Sequence, residues 1–336
     1  MIASAMTPET DRRYLAAALR LGNAQLGRTW PNPAVGCLIV KEGVVVGAGA
    51  TGQGGRPHGE TVALDEAGEA ARSATAYVSL EPCNHHGKTA PCTHALIEAG
   101  IARIVIALGD PDPRVSGSGV TRLREAGIEV LFEPFADIRA SAVKAHRGHI
   151  TRLAKGRPHV TLKLALSADG GIGFRDKGQV AITAPATNRL MHGLRARMDA
   201  IAVGVGTYQA DAPQLTVRLE GLAPCSPQRI VLGGTEAPEG FIHLPGHDLE
   251  AGLKKLGEQG FTSLLVEGGA KLACSLLDAH LVDEALLIEG TLVLGPEATR
   301  PFEANPFAGG LPGFTVRSRR KSGPDRIVTF APERKA

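Results

Sequence analysis

Short apolar runs alternate with amphipathic segments through the first half of the chain. A helix is predicted at the N-terminus, where Thr7 can cap it, Pro8 takes the first helical position and Glu9 follows. The runs predict a hairpin and three further strands, with helices between them: strands at residues 34–40, 44–50, 75–80, 102–108 and 128–132, and helices at 58–71, 92–100 and 120–126. Such alternation indicates a largely parallel sheet that is covered on both faces.

A second α/β series follows a basic, weakly periodic stretch at residues 144–160, which we interpret as a junction between domains. The pattern predicts strands at residues 159–166, 200–204, 229–233, 263–269 and 285–290, and helices at 186–198 and 270–280. The sequence thus predicts two α/β domains, residues 1–149 and 150–336. Functional sites in sheets of this kind gather at the carboxyl ends of the strands.

The composition excludes several classes of function. Of the 336 residues, 43% are hydrophobic, and 37 basic residues against 34 acidic ones give a formal charge of +3. This balance does not suit a dedicated nucleic-acid binder. No apolar stretch reaches the roughly 18 residues that a membrane span needs, and no signal peptide is expected. The basic run at residues 317–321 is expected to be a solvated tail.

The stretch EPCNHHGKTAPC, residues 81–92, places two cysteines and two histidines in one loop. A disulfide is disfavoured, because the chain has five cysteines, an odd number, and no secretory features. This cysteine usage indicates a reducing compartment, and a cytoplasmic protein is expected. The interpretations that remain are two core cysteines, a structural zinc site and one side of an active site.

His58, Cys83 and Cys92 share a local feature, since each follows a proline. Proline is favoured at helix starts, where the positive end of the helix dipole lowers the pKa of a thiol. One histidine and two cysteines leave a tetrahedral zinc ion with an open position, which is typical of a catalytic site. Glu60 is predicted to be the general base beside it. H-x-E followed by P-C-x8-C has the form of the zinc nucleobase deaminases.

Two alternatives stay open at this point. His85 or His86 as a fourth ligand would close the site and make the zinc structural, and exchanging Glu60 for glutamine would then change no biochemical property. A nucleic-acid editing deaminase is disfavoured by an aromatic content of 4% and by the balanced charge.

Four motifs together resemble the family of bifunctional riboflavin-biosynthesis deaminase/reductases. They are PNPAVG at residues 31–36, HGE at 58–60, EPCNHHGKTAPC at 81–92 and GDPDPRVSGSG at 109–119. The long gap between the two cysteines is similar to this family, whereas deaminases of cytidine or tRNA adenosine usually have a C-x-x-C pair. The resemblance implies an N-terminal cytidine-deaminase-like three-layer domain and a C-terminal dihydrofolate-reductase-like α/β domain.

The resemblance also implies a substrate, a diaminopyrimidinone that carries a ribosylamino 5′-phosphate, and one zinc ion per chain. By resemblance, the residues that hold this substrate in the deaminase domain are Asn32, His85, Lys88 and Asp110. A lysine suits the phosphate anion. The alternative for Asn32 and Asp110, each followed by a proline, is a turn.

Residues 162–170, 201–218 and 264–277 resemble the reductase half of the family, which uses NADPH to convert the ribosylamino group to a ribitylamino chain. Gly268 and Gly269 would let a pyrophosphate approach the backbone before a helix N-terminus, although a structural turn is the alternative. The implied cofactor contacts are Leu166, Ala181, Thr207, Asp211, Gly269, Ala270, Lys271, Leu272, Ala273, Cys274 and Ser275. The implied substrate contacts are Gln179, Arg195, Leu215, Arg218 and Glu267. The alternatives for the two arginines are a solvated helix face and an edge strand.

The chain departs from the family pattern at four places. Gly59 stands where the family usually has alanine, which we interpret as a loss of helix propensity with little chemical consequence. Ala181 stands where a large aromatic residue would border the cofactor, Ala212 replaces a second acid, and the stretch between Arg218 and Arg229 is short. An alternative is therefore a deaminase with a non-catalytic C-terminal domain. A homo-oligomer without nucleic-acid or membrane partners is expected.

Overall fold

The computed structural model of the chain describes residues 7–87, 90–174 and 178–333. Its internal contacts divide the chain into two compact units, Met1–Gly156 and Arg157–Ala336. Lys88, one of the implied substrate contacts, lies outside the described residues.

The first unit is built on a sheet of five strands in the order β2-β1-β3-β4-β5. The strands are β1 (Gly36–Lys41), β2 (Val44–Ala50), β3 (Thr75–Val78), β4 (Arg103–Ile106) and β5 (Glu129–Phe132). β1 and β2 form the predicted antiparallel hairpin, and β1 also pairs antiparallel with β3. β3, β4 and β5 are parallel to one another. The carboxyl ends of these three strands therefore meet at one edge of the sheet.

Helices cover this sheet on both faces. They are α1 (Pro8–Asn23), α2 (Gly59–Ala67), α3 (Cys92–Glu98), α4 (Ser118–Glu125), α5 (Ala136–Ala145) and α6 (Arg147–Lys155). Thr7 caps α1 as predicted. A Cβ atom at Gly36 of β1 would lie 2.0 Å from the Ala18 carbonyl oxygen of α1. Gly49 pairs with the residue that follows Gly36 in β1, and it contacts α2 instead. Because neighbouring strand residues face opposite ways, the two helices lie on opposite faces, and the unit has three layers.

Helix α6 occupies part of the basic stretch that was interpreted as a domain junction. The proposed boundary between residues 149 and 150 falls inside this helix, and the two compact units divide after it, at Gly156. The stretch is helical because it is amphipathic: Gly148 and His149 are buried, whereas Lys155 is exposed. Gly156 ends the helix in a left-handed conformation, with a φ of 68°.

The second unit contains an eight-stranded sheet in the order β12-β13-β11-β6-β10-β7-β8-β9. Its strands are β6 (His159–Leu166), β7 (Ala200–Gly204), β8 (Gln228–Leu232), β9 (Phe241–Leu244), β10 (Ser263–Val266), β11 (Glu284–Glu289), β12 (Phe314–Ser322) and β13 (Asp325–Pro332). The six strands from β11 to β9 are parallel. β12 and β13 form an antiparallel hairpin at one edge. β6 and β7 have the bounds that the apolar pattern predicts.

The helices of the second unit are α7 (Pro185–Arg195), α8 (Val205–Asp211), α9 (Leu249–Glu258), α10 (Ala270–Asp278) and α11 (Pro306–Gly309). α7 and α10 were predicted, whereas α8, β9 and α9 were not. The expectation of a solvated tail at residues 317–321 was wrong, because this run lies in β12. Its side chains are exposed, but its backbone pairs with β13. No helix in the described parts of the chain is long and apolar enough to cross a membrane.

A buried ionic cluster joins α1 to two strands of the first unit. Arg103 of β4 donates two hydrogen bonds to the Asp11 carboxylate of α1, at 2.8 and 2.7 Å. The Tyr77 hydroxyl of β3 donates a third, at 2.7 Å. Asp11 is 2% exposed, so these donors replace the water that the carboxylate loses on folding.

We expect Asp11→Ala to lower the free energy of unfolding of the first unit by about 3–5 kcal/mol, because it leaves the Arg103 guanidinium without its buried partner. Urea denaturation followed by the fluorescence of Trp30 measures this change. The matched control is Arg12→Ala, which removes an exposed ion pair with Asp137 and should change stability little. Equal denaturation midpoints for the two variants would contradict the buried cluster's role.

Candidate active sites

A cavity of about 100 Å³ lies in the first unit where β3 and β4 end. β3 leads into Glu81 and Cys83, β4 leads into Asp110, and His58 stands directly before α2. The chain therefore brings chemically active side chains from three connections to one edge of the sheet. The residues proposed from the sequence that line this cavity are Asn32, His58, Glu60, Cys83, His85 and Asp110.

His58, Cys83 and Cys92 bring one nitrogen and two sulfur atoms together. His58 Nδ1 lies 3.2 Å from Cys92 Sγ and 3.6 Å from Cys83 Sγ, and the three atoms lie within 4.8 Å of one another. Tetrahedral zinc with bonds of about 2.0–2.3 Å separates its ligand atoms by roughly 3.3–3.8 Å. The three residues therefore fit a zinc ion. Across residues 7–87, 90–174 and 178–333, no fourth histidine, cysteine or carboxylate joins the group.

Hydrogen bonds favour the thiolate form of Cys83, which is the form that binds zinc. The largest cause is the Cys92 thiol, and His58 adds to it; together they lower the pKa of Cys83 to about 4 against the opposing effect of burial. The backbone N–H of Cys92 also lies 3.4 Å from Cys83 Sγ. Cys92 is the first residue of α3 and Pro91 is its N-cap, as the proline pattern predicted.

Glu60 lies in the first turn of α2, 3% exposed, and lines the cavity beside the zinc ligands. Burial raises the pKa of Glu60 to about 7, with the charge of Cys83 as the next cause. Gly59 stands between Glu60 and His58, and a Cβ atom there would lie 2.6 Å from the Val35 carbonyl oxygen. The close approach of α2 to the sheet thus requires glycine. The interpretation of Gly59 as a loss of helix propensity alone was incomplete.

Three of the four implied substrate contacts of this site share the cavity. Asn32 Nδ2 lies 3.4 Å from His58 Nε2, next to the zinc ligands. His85 has a buried Nδ1 atom without a hydrogen-bond partner among the residues that the structure describes. Asp110 is 8% exposed and follows β4. Lys88 is outside the described residues.

Glu81 was not predicted, although it organises the cavity. Its buried carboxylate accepts four backbone hydrogen bonds, at 3.4, 3.1, 3.0 and 3.2 Å, from the N–H groups of Asp110, Gly117, Gly119 and Val120. These bonds attach residues 109–120 to the connection that carries Cys83. A Cβ atom at Gly119 would lie 2.4 Å from the Pro82 carbonyl oxygen, so the segment passes too close to admit a side chain.

A larger cavity of about 620 Å³ lies in the second unit at the carboxyl ends of its parallel strands. The implied contacts that line it are Gln179, Ala181, Arg195, Thr207, Asp211, Leu215, Arg218, Glu267, Gly269 and Ala270. Six others stand outside this lining in the described structure: Leu166, Lys271, Leu272, Ala273, Cys274 and Ser275. Five of these six follow Ala270 along α10, so only the start of that helix reaches the cavity.

An ionic cluster stands in this second cavity. Arg195 donates hydrogen bonds of 2.7 and 2.8 Å to the two oxygens of Glu267, and Lys163 Nζ lies 3.8 Å from Glu267. Burial by itself would raise the pKa of Glu267. The charge of Lys163, with the hydrogen bond and charge of Arg195, outweighs burial and lowers the pKa of Glu267 to about 2.

Helix α7 fixes the segment that carries Leu215 and Arg218. Leu215 has a φ of +56°, a conformation that favours glycine. Arg195 Nη1 donates to the Thr216 carbonyl oxygen at 3.2 Å, and the Arg218 N–H donates to His192 Nδ1 at 3.2 Å. These bonds keep both implied substrate contacts facing the cavity.

Two further interactions hold segments of the second unit together, the first of them at the cavity lining. The N–H of Gly269 donates to Thr207 Oγ1 at 3.1 Å, which brings two implied cofactor contacts together. Asp169 accepts the N–H groups of Leu294 and Gly295, at 3.0 and 2.9 Å, and so connects the loop after β6 to the loop after β11.

Both sites have counterparts in known proteins. A family model described as the cytidine and deoxycytidylate deaminase zinc-binding region matches residues 8–108, and one described as the RibD C-terminal domain matches residues 158–328. The riboflavin biosynthesis protein RibD of Escherichia coli is 39% identical, over 94% of this chain and 97% of its own length. The chain belongs to the RibD family. Membership makes it a bifunctional enzyme of riboflavin biosynthesis, with a zinc-dependent deaminase and an NADPH-dependent reductase.

Solved RibD structures share the whole architecture. Acinetobacter baumannii RibD is 32% identical, with a TM-score of 0.86 over 97% of this chain and 99% of that one. A diaminohydroxyphosphoribosylaminopyrimidine deaminase/5-amino-6-(5-phosphoribosylamino)uracil reductase from Thermotoga maritima is 31% identical, with a TM-score of 0.84 over 96% and 99%. The expected folds, cytidine-deaminase-like and dihydrofolate-reductase-like, are confirmed. The two alternatives, a structural zinc protein and a deaminase without a reductase, are not favoured.

Some residues that line these cavities could have been predicted from the sequence but were not. Lys163 is a charged residue between two leucines of the predicted strand 159–166, and a buried charge needs a partner. His192 and Arg195 lie three positions apart, which places them on one face of α7. Glu81 left no such signal, because its partners are backbone N–H groups.

We expect Cys83→Ser to bind much less zinc than the parent protein, because a serine hydroxyl replaces a thiolate ligand. Metal analysis of the purified, dialysed protein measures the zinc per chain. The matched control is Cys225→Ser, which alters a cysteine of the second unit and should keep the parent's zinc content. Undiminished zinc in Cys83→Ser would remove this residue from the ligand set.

The pKa of Glu267 predicts a pH-dependent stability. The ionised carboxylate stabilises the second unit above the ordinary glutamate pKa of 4.5, and this contribution is lost as the pH falls towards about 2. We expect Glu267→Gln to be less stable than the parent near neutral pH, and the difference to shrink below about pH 4.5. Thermal denaturation across this range measures it, with Glu258→Gln on α9 as the control. A difference that stays constant with pH would contradict the ion cluster.

Proposed function

We propose that the cavity of the first unit is the deaminase site and that the cavity of the second unit is the reductase site. The substrate is a diaminopyrimidinone with a ribosylamino 5′-phosphate. The first site removes its 2-amino group as ammonia, and the second reduces the ribosyl group to ribityl. The observation that carries this assignment is the grouping of His58, Cys83 and Cys92 with Glu60 at one cavity.

In the deaminase site, His58, Cys83 and Cys92 hold the zinc ion, which supplies Lewis-acid activation of water when bound. Glu60 is not a ligand. Its carboxylate accepts a proton from the attacking water and returns it to the nitrogen that leaves as ammonia. Glu60 lies in the first turn of α2, and His58 immediately precedes that helix. The proton acceptor and one zinc ligand are therefore positioned by the same helix.

The pyrimidine is held by Asn32, His85 and Asp110. Support comes from their position around a single small cavity beside the zinc ligands. Their polar groups can direct the pyrimidine amino and carbonyl groups, as polar side chains do in small-molecule sites. We assign the phosphate to Lys88, on the chemistry of its charge alone.

In the reductase site, NADPH supplies the hydride when bound. Thr207, Asp211 and Gly269 are assigned to the cofactor. Among the remaining implied cofactor contacts, Ala181 and Ala270 stand at the cavity. The others are proposed on resemblance only: Leu166, Lys271, Leu272, Ala273, Cys274 and Ser275.

The substrate of the reductase is assigned to Gln179, Arg195, Leu215, Arg218 and Glu267. Charge supports this assignment. Among the described residues of the cavity lining, the cations Lys163, Arg195 and Arg218 outnumber the carboxylates Asp211 and Glu267. An excess of cations suits a phosphate-bearing substrate.

Residues 1–149 and 150–336 are proposed as the functional domains, and α6, which spans this boundary, belongs to the compact unit of the first domain. We also propose a cytoplasmic homo-oligomer without nucleic-acid or membrane partners. All five cysteines are free, which supports a reducing compartment. Light scattering of the purified protein tests the assembly, and a monomeric mass at micromolar concentration would overturn it.

We expect the zinc-loaded enzyme to release ammonia from the diaminopyrimidinone phosphate and then to oxidise NADPH. Glu60→Gln should release at least about 100-fold less ammonia, because a general base is lost, and should keep its zinc. Ammonia and NADPH absorbance are followed in one reaction. The control is Asp65→Asn, an exposed acid on the same helix.

Two outcomes would overturn the assignment. Ammonia release at the parent rate by Glu60→Gln would remove Glu60 from the proton transfer. Ammonia release by the parent without oxidation of NADPH, even when deaminated intermediate is supplied, would contradict the reductase site.

A further inference from the structure

Helix α6 extends one buried side chain into the deaminase cavity. His149 is 6% exposed and lines the cavity together with Asp110. Its Nε2 atom lies 2.9 Å from Asp110 Oδ1. The two residues are far apart in the chain, and none of the four motifs quoted for the family contains His149.

The hydrogen atom of this contact belongs to the histidine. A carboxylate can only accept, so His149 Nε2 donates to Asp110. His149 Nδ1 is buried and has no hydrogen-bond partner in the parts of the chain that the structure describes. The neutral ring with its hydrogen on Nε2 meets both conditions, because a buried N–H at Nδ1 would stay unsatisfied.

Two donors fix the carboxylate of Asp110. Besides His149, the N–H of Asp112 donates to the same oxygen, Oδ1, at 2.9 Å. The backbone of Asp110 is held as well, since its N–H lies 3.4 Å from Glu81 Oε2. Two bonds to one oxygen set the rotation of the carboxylate and hence the direction in which Oδ2 points.

The second histidine of this region cannot take over the same role. Burial lowers the pKa of His146 to about 4, so His146 is neutral at physiological pH. His146 Nε2 is buried without a partner among the described residues. Of these two histidines, His149 is the one that hydrogen-bonds to Asp110.

We infer that His149 is a positioning residue of the deaminase reaction: it orients the Asp110 carboxylate that holds the pyrimidine. This inference rests on the proposed deaminase site. His149 acts on binding of the substrate, not on the proton transfer at Glu60. Its loss should therefore raise KM and leave kcat nearly unchanged.

The test compares His149→Leu with His149→Gln. Leucine removes the donor, whereas the side-chain amide nitrogen of glutamine reaches the position of Nε2 and restores it. We expect His149→Leu to raise the KM for ammonia release about 10- to 100-fold, as for the loss of a hydrogen bond to a charged group. The KM of His149→Gln should stay within about threefold of the parent value.

Zinc content and the rate of reduction of the deaminated intermediate are measured on the same preparations. Both should match the parent in each variant, which shows that the chain is folded. If the leucine variant is not obtained folded, His149→Asn takes its place, since its amide is one carbon too short to reach Asp110.

A double-mutant cycle with Asp110→Asn separates the inference from the proposed site. If His149 acts through Asp110, the leucine exchange adds little to KM once Asp110 is replaced. A parent KM in His149→Leu, a loss in kcat alone, or full additivity with Asp110→Asn would overturn the inference. If Asp110→Asn itself left KM unchanged, the assignment of Asp110 in the proposed site would fall, and the inference with it.

Discussion

A carboxylate that is taken out of water must receive hydrogen bonds or opposite charge in return. Both units place such a group directly beyond a central strand: Glu81 after β3 and Glu267 after β10. Glu81 is satisfied only if residues 109–120 run beside it, and Glu267 only if α7 lies against the end of its strand. Each site thus takes its shape from the need to satisfy one buried acid.

The two acids are satisfied in different ways, and the difference suits their surroundings. Glu81 is surrounded by backbone N–H dipoles, which hold a chain segment in place without using a cationic side chain. Glu267 is paired with Arg195 and lies near Lys163. The first arrangement borders a small cavity next to the three residues that fit a zinc ion. The second stands in a wide cavity whose lining carries fixed cations.

Local patterns were sufficient to predict β6, β7 and the grouping of His58, Cys83 and Cys92, because short apolar runs and the Pro-His and Pro-Cys pairs are short-range signals. The role of His149 was not predictable in the same way, because its partner Asp110 lies in a different part of the chain. The two units divide within residues 144–160, the stretch interpreted as a junction, but helix α6 inside this stretch was not predicted, because its periodicity is weak and its polar face is basic. Gly59 was misread because a sequence shows helix propensity but not the distance to Val35.

Gly59 also restricts how this sequence can change. An alanine at this position would add a methyl group that overlaps the Val35 carbonyl oxygen. The exchange would require α2 or the residues before β1 to move, and His58 and Glu60, the residues on either side, would move with the helix. A substitution that adds a single carbon atom would therefore disturb two functional side chains at once. A position that looks neutral by composition limits, in this chain, which substitutions the site can tolerate.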